Sequence, residues 1–337
     1  MLKQVNIYPD YYSEFHCIAD KCPDNCCEEW EIVVDDESAG IYESITGAIG
    51  EKLRSSITID ADGDRIFSLE KNRCPFLEET GFCEIHRILG EGFLCKTCRE
   101  YPRAVQDSGD FAEHDLSLSC PEAARIILSK TQRPEYIKSE CEIDNEEICY
   151  DTEFMGFMKS SRREMIDIIW DKSFSVDEAV DKCMIYANQV QQYIDDIDGE
   201  IISETFAFNT GGMSFTEIID DYLSGDILTY EFRENLMDAR LLGDKPMNSP
   251  EFSEDVRKLN VYDISYRQLC TYYINRYWLR AAFDYDAEEK IIIMAKAYAM
   301  VRRICLAYVQ KNKELPFSAL LRIVQLYSKE TEHNTDI

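Results

Sequence analysis

The sequence predicts a mainly α protein in which a small cysteine-rich, metal- or cluster-binding N-terminal domain with short strands precedes an all-α domain. Two observations carry this. The chain has 14 cysteines in 337 residues, and Cys17, Cys22, Cys26, Cys27, Cys74, Cys83, Cys95, Cys98 and Cys120 all precede residue 121. Beyond about residue 150 the apolar residues recur at helical spacing and start signals repeat. The expected division is a cysteine-rich domain over 1–138, an acidic linker over 139–151 (SECEIDNEEICYD, with Cys141 and Cys149) and a helical domain over 152–330.

In chain order, Glu31–Asp35 has the β-branched content of a short strand after Trp30. Residues 38–55 fit one helix. Residues 57–69 read as a hairpin around Asp62-Gly63, a dipeptide suited to a tight turn. From Cys74 to Arg103 the chain is punctuated by Pro75, Gly81, Gly90, Gly92 and Pro102, which suits wrapping a bound ion better than building long elements. In the second half, Ser175-x-x-Glu178, Ser214-x-x-Glu217 and Asp286-x-x-Glu289 resemble capping boxes. A helix over 229–242 should stop at Gly243. Residues 288–309 are apolar nearly throughout, as in a buried central helix. Gly211-Gly212 reads as a turn.

Asp and Glu outnumber Lys and Arg 65 to 36, a net charge of −29. That excess argues against nucleic acid and against anionic membrane surfaces, and it suits a partner presenting lysines. No apolar run is long enough for a membrane span, and the first fifteen residues lack a secretory core, so a cytoplasmic location is expected. A reducing cytosol rarely keeps disulfides, which leaves metal binding or redox work for a cysteine-dense segment.

The strongest local pattern is Cys17-x4-Cys22-x3-Cys26-Cys27, joined by Cys74-x8-Cys83, Cys95-x2-Cys98 and Cys120 before Pro121. Thiolates a few residues apart converge when a short loop folds them inward, and soft sulfur suits zinc or an iron–sulfur cluster. Adjacent Cys26 and Cys27 rarely face one metal, so one may ligate while the other packs. Of the histidines, Cys83-x2-His86 has ligand-like spacing, while His16 and His114 read as surface or hydrogen-bonding residues. Arg99 and Arg103 are four apart and so could share a helical face and clamp a carboxylate, or simply pair with surface acids. Tyr8, Tyr11, Tyr12, Phe15 and Trp30 suit either a channel for an alkyl-amine side chain or plain core. Cys183, Cys270 and Cys305 read as small buried hydrophobes. A Gly-rich Rossmann loop, a phosphate loop and the H-E-x-x-H motif are all missing, and Glu29 stands where a radical-enzyme spacing would place its third cysteine.

Together the double cysteine before Trp30, Cys74-Pro75-Phe76-Leu77, Thr97-Cys98-Arg99, Tyr101-Pro102-Arg103 and Cys120-Pro121 resemble the flagellin lysine-N-methylases, a group of CxxCxxCC-type cysteine-cluster proteins. The resemblance is strong over residues 5–130, whereas the helical remainder is similar in length and character. It implies methylation of lysine ε-amines on flagellin with S-adenosylmethionine and a cysteine-bound iron–sulfur cluster, most simply 4Fe-4S. It also implies metal-binding roles for Cys17, Cys22, Cys26, Cys27, Cys74, Cys83, Cys98 and Cys120, with Cys95 an extra. Arg99 and Arg103 would then face the cofactor. The competing reading is a non-enzymatic, zinc-stabilised interaction module.

Overall fold

The structure, a computed structural model, describes residues 2–28, 30, 32–143, 150–195 and 214–333. Cys149 and Gly211-Gly212 lie outside the described residues, and so does Glu29.

The first element, β1 (Leu2–Pro9), is the inner strand of a four-stranded sheet ordered β4-β5-β1-β6. Its parallel neighbour β5 (Phe111–Leu116) arrives only a hundred residues later, paired Val5 to Phe111 through Ile7 to Glu113. Apart from β4, what lies between is a single crossover, and it carries the cysteines from Cys17 to Cys98; Cys120 follows β5. β4 (Arg103–Asp107) returns as a hairpin onto β5 through a turn with Gly109 at φ +87°. Gln4 fastens the turn to β1, its amide nitrogen donating to Asp107 Oδ1 at 2.8 Å and to the Gly109 carbonyl at 3.0 Å. β6 (Tyr136–Ile143) runs antiparallel along the whole of β1. The acidic stretch expected to be a linker from residue 139 therefore begins as an edge strand, because Ser139–Ile143 fill the open hydrogen-bonding edge of β1.

Within the crossover the single helix expected over 38–55 is two, α1 (Asp36–Ser44) and α2 (Gly47–Ser55). The chain turns extended at Ile45, Gly47 takes φ +81°, and Gly50 lies so close to Ile45 that a Cβ would sit 2.0 Å from its carbonyl oxygen. The hairpin β2 (Ile57–Ile59) and β3 (Arg65–Phe67) forms as expected, with Gly63 at φ +92° in its turn. Beside it, Ile32–Val34 hydrogen-bonds β3 through Val34 N–H to Arg65 O (2.7 Å) and Phe67 N–H to Ile32 O (3.0 Å), as a lone bridge rather than a regular strand.

After α5 (Pro121–Ser129) and β6, the described chain is helical: α6 (Thr152–Trp170), α7 (Val176–Ile194), α8 (Phe215–Ser224), α9 (Tyr230–Arg240), α10 (Ser253–Leu259), α11 (Asp263–Tyr277), the short α12 (Ala281–Asp284), α13 (Ala287–Asn312) and α14 (Phe317–His333). Both Ser-x-x-Glu boxes close in the two directions expected of them at the starts of α7 and α8. At α13 the Asp286 carboxylate accepts from the Glu289 N–H while its own amide turns to Asp284, so only half of that box forms. α9 ends before Gly243, at φ +60°. α13 is the buried centre, packed by α7, α9, α10, α11 and α14. Even its arginines are inside: Arg302 donates to the Tyr298 hydroxyl at 2.8 Å, and Arg303 to the carbonyls of Lys245 and Gly243.

Two apolar cores result, and they do not divide near residue 138. Tyr11, Phe15, Phe111, Leu116, Leu118 and the apolar face of α5 share one large core with the helices. The second, small core lies within the crossover, around Ile32, Val34, Phe67, Phe76 and Ile85. The sheet is thus an outer layer of the helical part. Among the described helices, none is long and apolar enough to cross a membrane.

Cys183, Cys270 and Cys305 sit fully buried in the large core, on α7, α11 and α13. Replacing all three with Ala should lower stability by about 1 kcal/mol or more per site through lost packing. Bound metal should be unchanged. Calorimetric melting beside metal quantification checks both halves.

Candidate metal centre

Short hydrogen-bonded loops bring the early thiols together. The Ala19–Lys21 turn delivers Cys22, whose thiol donates to the Asp24 carbonyl at 3.0 Å. Asn25 then forms an Asx turn, its side-chain oxygen accepting from Cys27 N–H at 3.0 Å, which fixes the Cys26-Cys27 corner. The Trp30 indole N–H donates to Cys26 O at 3.0 Å. Cys74 N–H donates to Cys27 O at 2.8 Å, and a tight loop through Gly81 (φ +80°) pairs Cys83 with Leu77. Backbone pairing alone therefore sets residues 26–27, 74 and 83 side by side.

Three other placements share one device. Cys83, Cys95 and Cys120 are the N-cap residues of α3 (Glu84–Leu89), α4 (Lys96–Glu100) and α5. Sulfur at a helix start meets the unpaired amides and the positive end of the peptide dipoles. Amides of Ile85 and His86 lie near Cys83, those of Glu122 and Ala123 near Cys120, and that of Phe76 near Cys74, with no capping hydrogen bond closed by the Cys83 or Cys120 side chain. These amides favour thiolate.

Burial works the other way. It pushes the Cys22 thiol up to about 11, and those of Cys74 and Cys120 up to about 12. In the pairs Cys26/Cys27 and Cys95/Cys98 a hydrogen bond from the second thiol favours ionisation of the first. Cys26 is central: its charge is felt at Cys22, Cys27, Cys74, Cys83, Cys98 and Cys120. Thiols so crowded cannot all ionise unless a cation joins them, so metal binding here would release protons. The described cysteines are free thiols. Among the described residues, no three His, Cys, Asp or Glu side chains close tightly enough to hold one ion. The donors are gathered without being collapsed on a point, and a donor set of almost pure sulfur fits zinc or iron–sulfur chemistry.

The other expected residues are placed unevenly. Cys17 is exposed at the rim. Cys95, expected to be an extra, is buried against Cys98 in the small core. His86 stacks on Phe82 at 5.3 Å, and its backbone N–H reaches Cys83. His114 stacks on Tyr8 at 4.2 Å, and His16 is exposed. Arg99 and Arg103 do not share a helical face. α4 ends at Glu100, a cis Tyr101-Pro102 bond turns the chain, and Arg103 opens β4 with its guanidinium 5.1 Å from the Phe15 ring centre. Tyr11 and Phe15 are core.

One wall of the site was not visible in the sequence. Asp24, between Cys22 and Cys26, receives Arg322 (2.7 Å), Gln325 (2.9 Å) and Lys329 (3.1 Å) from α14. Spacings of three and four put those residues on one helical face. Gln325 also donates to Ser119 O at 2.8 Å, next to Cys120. The Lys329 ammonium lies 5.1 Å over Trp30, whose ring packs on His333 and Tyr101 at 4.8 and 5.3 Å. On the far side, Glu330 accepts the Leu228 and Thr229 amides, both at 2.8 Å, just before α9. α14 thus ties the cysteine loop to the helical core.

Beneath the sheet, a cavity of about 30 Å³ lies among Ile7, Glu113, Asp115, Arg162, Asn275 and Arg276. Glu113 and Arg162 form a bidentate pair at 2.6 and 2.7 Å. Burial pushes the Asp115 carboxyl up to about 6, against the Tyr11 hydroxyl bond (2.8 Å) and Arg276, which favour its ionised form.

With this geometry described, comparison with known proteins is informative. The profile of the FliB lysine N-methylase C-terminal domain matches residues 162–337. The chain belongs to the FliB lysine N-methylase family. The family is the one the cysteine segment resembles, yet the profile lies on the helical half, which therefore carries more of the family's pattern than its length and character alone. Flagellar biosynthetic protein FliU of Salmonella muenchen is 29% identical over 143 residues, 38% of this chain and 80% of that protein. The lysine-N-methylases of Salmonella typhimurium and Salmonella choleraesuis are also 29% identical over 143 residues, 38% of this chain, and the alignment covers 34% of their length. No solved structure matches.

Two outcomes test this geometry. Lys329→Met leaves the mostly buried Asp24 short of one cation and should cost about 3 kcal/mol, read from urea midpoints. An unchanged midpoint would mean the α14 contact holds nothing. Asp115 has a folded-state pKa above its unfolded value, so its contribution is complete below pH 4 and is lost as pH rises through about 6. Relative to Asp115→Asn, the native protein should lose about 2 kcal/mol across that window, allowing for screening in the cavity.

Proposed function

We propose that this protein transfers methyl groups from S-adenosylmethionine to lysine ε-amines of flagellin, with an iron–sulfur cluster held by cysteines of the crossover and its flank. The observation that carries the reading is the thiol assembly around Cys26, built from loops far apart in sequence and braced by α14 in a chain of the lysine N-methylase family. The names of the relatives, flagellar biosynthetic protein and lysine-N-methylase, support the same substrate class.

The ligands would come from Cys17, Cys22, Cys26, Cys27, Cys74, Cys83, Cys98 and Cys120, and Cys95 joins that set by its burial beside Cys98. Such a cluster would supply a Lewis-acidic iron to which the amino and carboxylate groups of the methionine moiety could bind. Arg99, exposed one residue after Cys98, is the nearer in sequence of the two arginines proposed for that carboxylate; Arg103 already faces Phe15. A lysine amine must lose its proton before it attacks a methyl group, and a carboxylate is the natural acceptor. The excess of acids, 65 against 36 bases, would draw a lysine-bearing protein toward this surface.

The test is incubation of anaerobically purified protein with flagellin and methyl-labelled S-adenosylmethionine, followed by peptide mass spectrometry. Labelled lysines are expected, and Cys26→Ser should lose transfer and the brown iron–sulfur absorption together. A colourless, zinc-loaded protein with no transfer would instead establish the interaction module.

A further inference from the structure

We propose that one face of α14 is a template for the metal centre, holding the cysteine segments in place before a metal arrives, and that Gln325 is its positioning residue. The inference rests on the metal-binding part of the reading above, whichever metal is bound, and not on methyl transfer.

Arg322, Gln325, Lys329 and His333 are spaced three, four and four apart, so they form one stripe along the helix. Each bonds to Asp24, which stands between Cys22 and Cys26, or to Ser119, directly before Cys120. Of these four residues, Gln325 alone bonds to both. Its amide nitrogen donates to Asp24 Oδ2 at 2.9 Å and to the Ser119 carbonyl at 2.8 Å. Its oxygen accepts from Arg322 Nη1 at 2.7 Å. That third bond fixes the orientation of the amide, since a flipped group would set its oxygen against a carboxylate and a carbonyl. Both N–H groups are thereby used, in a residue only 1% exposed. One side-chain amide thus joins the loop of Cys22 and Cys26 to the turn that leads into Cys120.

None of this fastening draws on a metal. Asp24 carries its carboxylate in among the thiols, and Arg322 at 2.7 Å and Lys329 at 3.1 Å neutralise it there. Asn25 continues the hold by accepting the Cys27 N–H. On the other segment, Ser119 Oγ lies 2.8 Å from His333 Nε2 and 3.1 Å from the Tyr101 hydroxyl. His333 packs on Trp30, whose indole N–H donates to the Cys26 carbonyl. The helix itself is anchored, with Leu320, Ile323, Val324, Leu326 and Tyr327 in the large core. Small metal modules commonly fold only when the ion joins their ligands, because the unfolded chain offers no site. Here α14 meets the ordering cost of the loop, so a metal binds segments already set side by side.

A glutamine with a purely structural role would change stability and leave metal affinity alone. Gln268 on α11 supplies that comparison: it is also 1% exposed and donates to the carbonyls of Lys130 at 3.2 Å and Gln132 at 2.7 Å, neither of which adjoins a proposed ligand.

The experiment uses the full chain, purified without oxygen and stripped with a chelator. Cobalt(II) is the probe, read from its thiolate-to-cobalt absorption. Gln325→Met, similar in shape but without donors, should bind cobalt about tenfold more weakly than the native chain. Gln268→Met should melt lower and keep native cobalt affinity. The metal-free native chain should already protect the Cys27 and Cys120 amides from hydrogen exchange, and Gln325→Met should lose that protection. Native cobalt affinity in Gln325→Met overturns the proposal. Equal weakening by Gln268→Met also overturns it, by tracing the effect to general stability. Where Gln325→Met does not fold, the native chain decides: rapid exchange of both amides until cobalt is added overturns the template. A native chain that binds no cobalt removes the metal reading itself, and the template with it.

Discussion

The structure turns on a crowd of thiols that cannot all be charged at once. Around Cys26, burial opposes ionisation while helix amides at Cys83 and Cys120 invite it. The two influences are left in balance by the polypeptide alone. A soft cation resolves that balance, because it neutralises several thiolates in a region too dry to tolerate them unpaired. The lobe's apolar core is small, so a metal bound there would add directly to its folding free energy. In the helical part, by contrast, α13 is buried by five neighbouring helices and needs no such help.

The topology keeps this lobe from floating free. Its two ends enter the same sheet, at β1 and at β4, and the parallel pairing of β1 with β5 closes the crossover at its base. A second fastening is remote in sequence: α14 reaches back about three hundred residues to Asp24. Ligand loops held at both points have limited freedom to rearrange, which favours a fixed ligand set over a mobile one. Glu330, on the same helix, binds the start of α9, so strain at the cysteine loop has a direct route into the helical core.

The sequence was informative wherever a local rule decided the outcome. The Ser175 and Ser214 boxes, the Asp62-Gly63 hairpin and the stop at Gly243 depend on neighbours within a turn, and all four appear where local chemistry puts them. Cysteine clustering was legible too, since nine thiols in one segment cannot be accidental core. What sequence could not show is long-range pairing. β1 and β5 are a hundred residues apart, and neither announces a partner. The break at Ile45 is set by contact with Gly50, and the clamp on Asp24 comes from the last helix. Arg103 illustrates the limit of spacing arguments: four residues after Arg99 means a shared face only if the helix continues, and it ends at Glu100.

Cys95 shows why the extra cysteine matters. The resemblance leaves it outside the expected ligand set, yet it stands at the N-cap position of α4, lies almost wholly buried and hydrogen-bonds Cys98. Its side chain makes no capping hydrogen bond, so the N-cap position is filled by a thiol where Ser or Asp would serve the helix better. Its sulfur packs instead in the same small core as Cys74 and Cys83, where the start of α4 favours the ionised form that a metal would require. On the proposed reading, Cys95 would add a sulfur on the buried side of the assembly, beside Cys98.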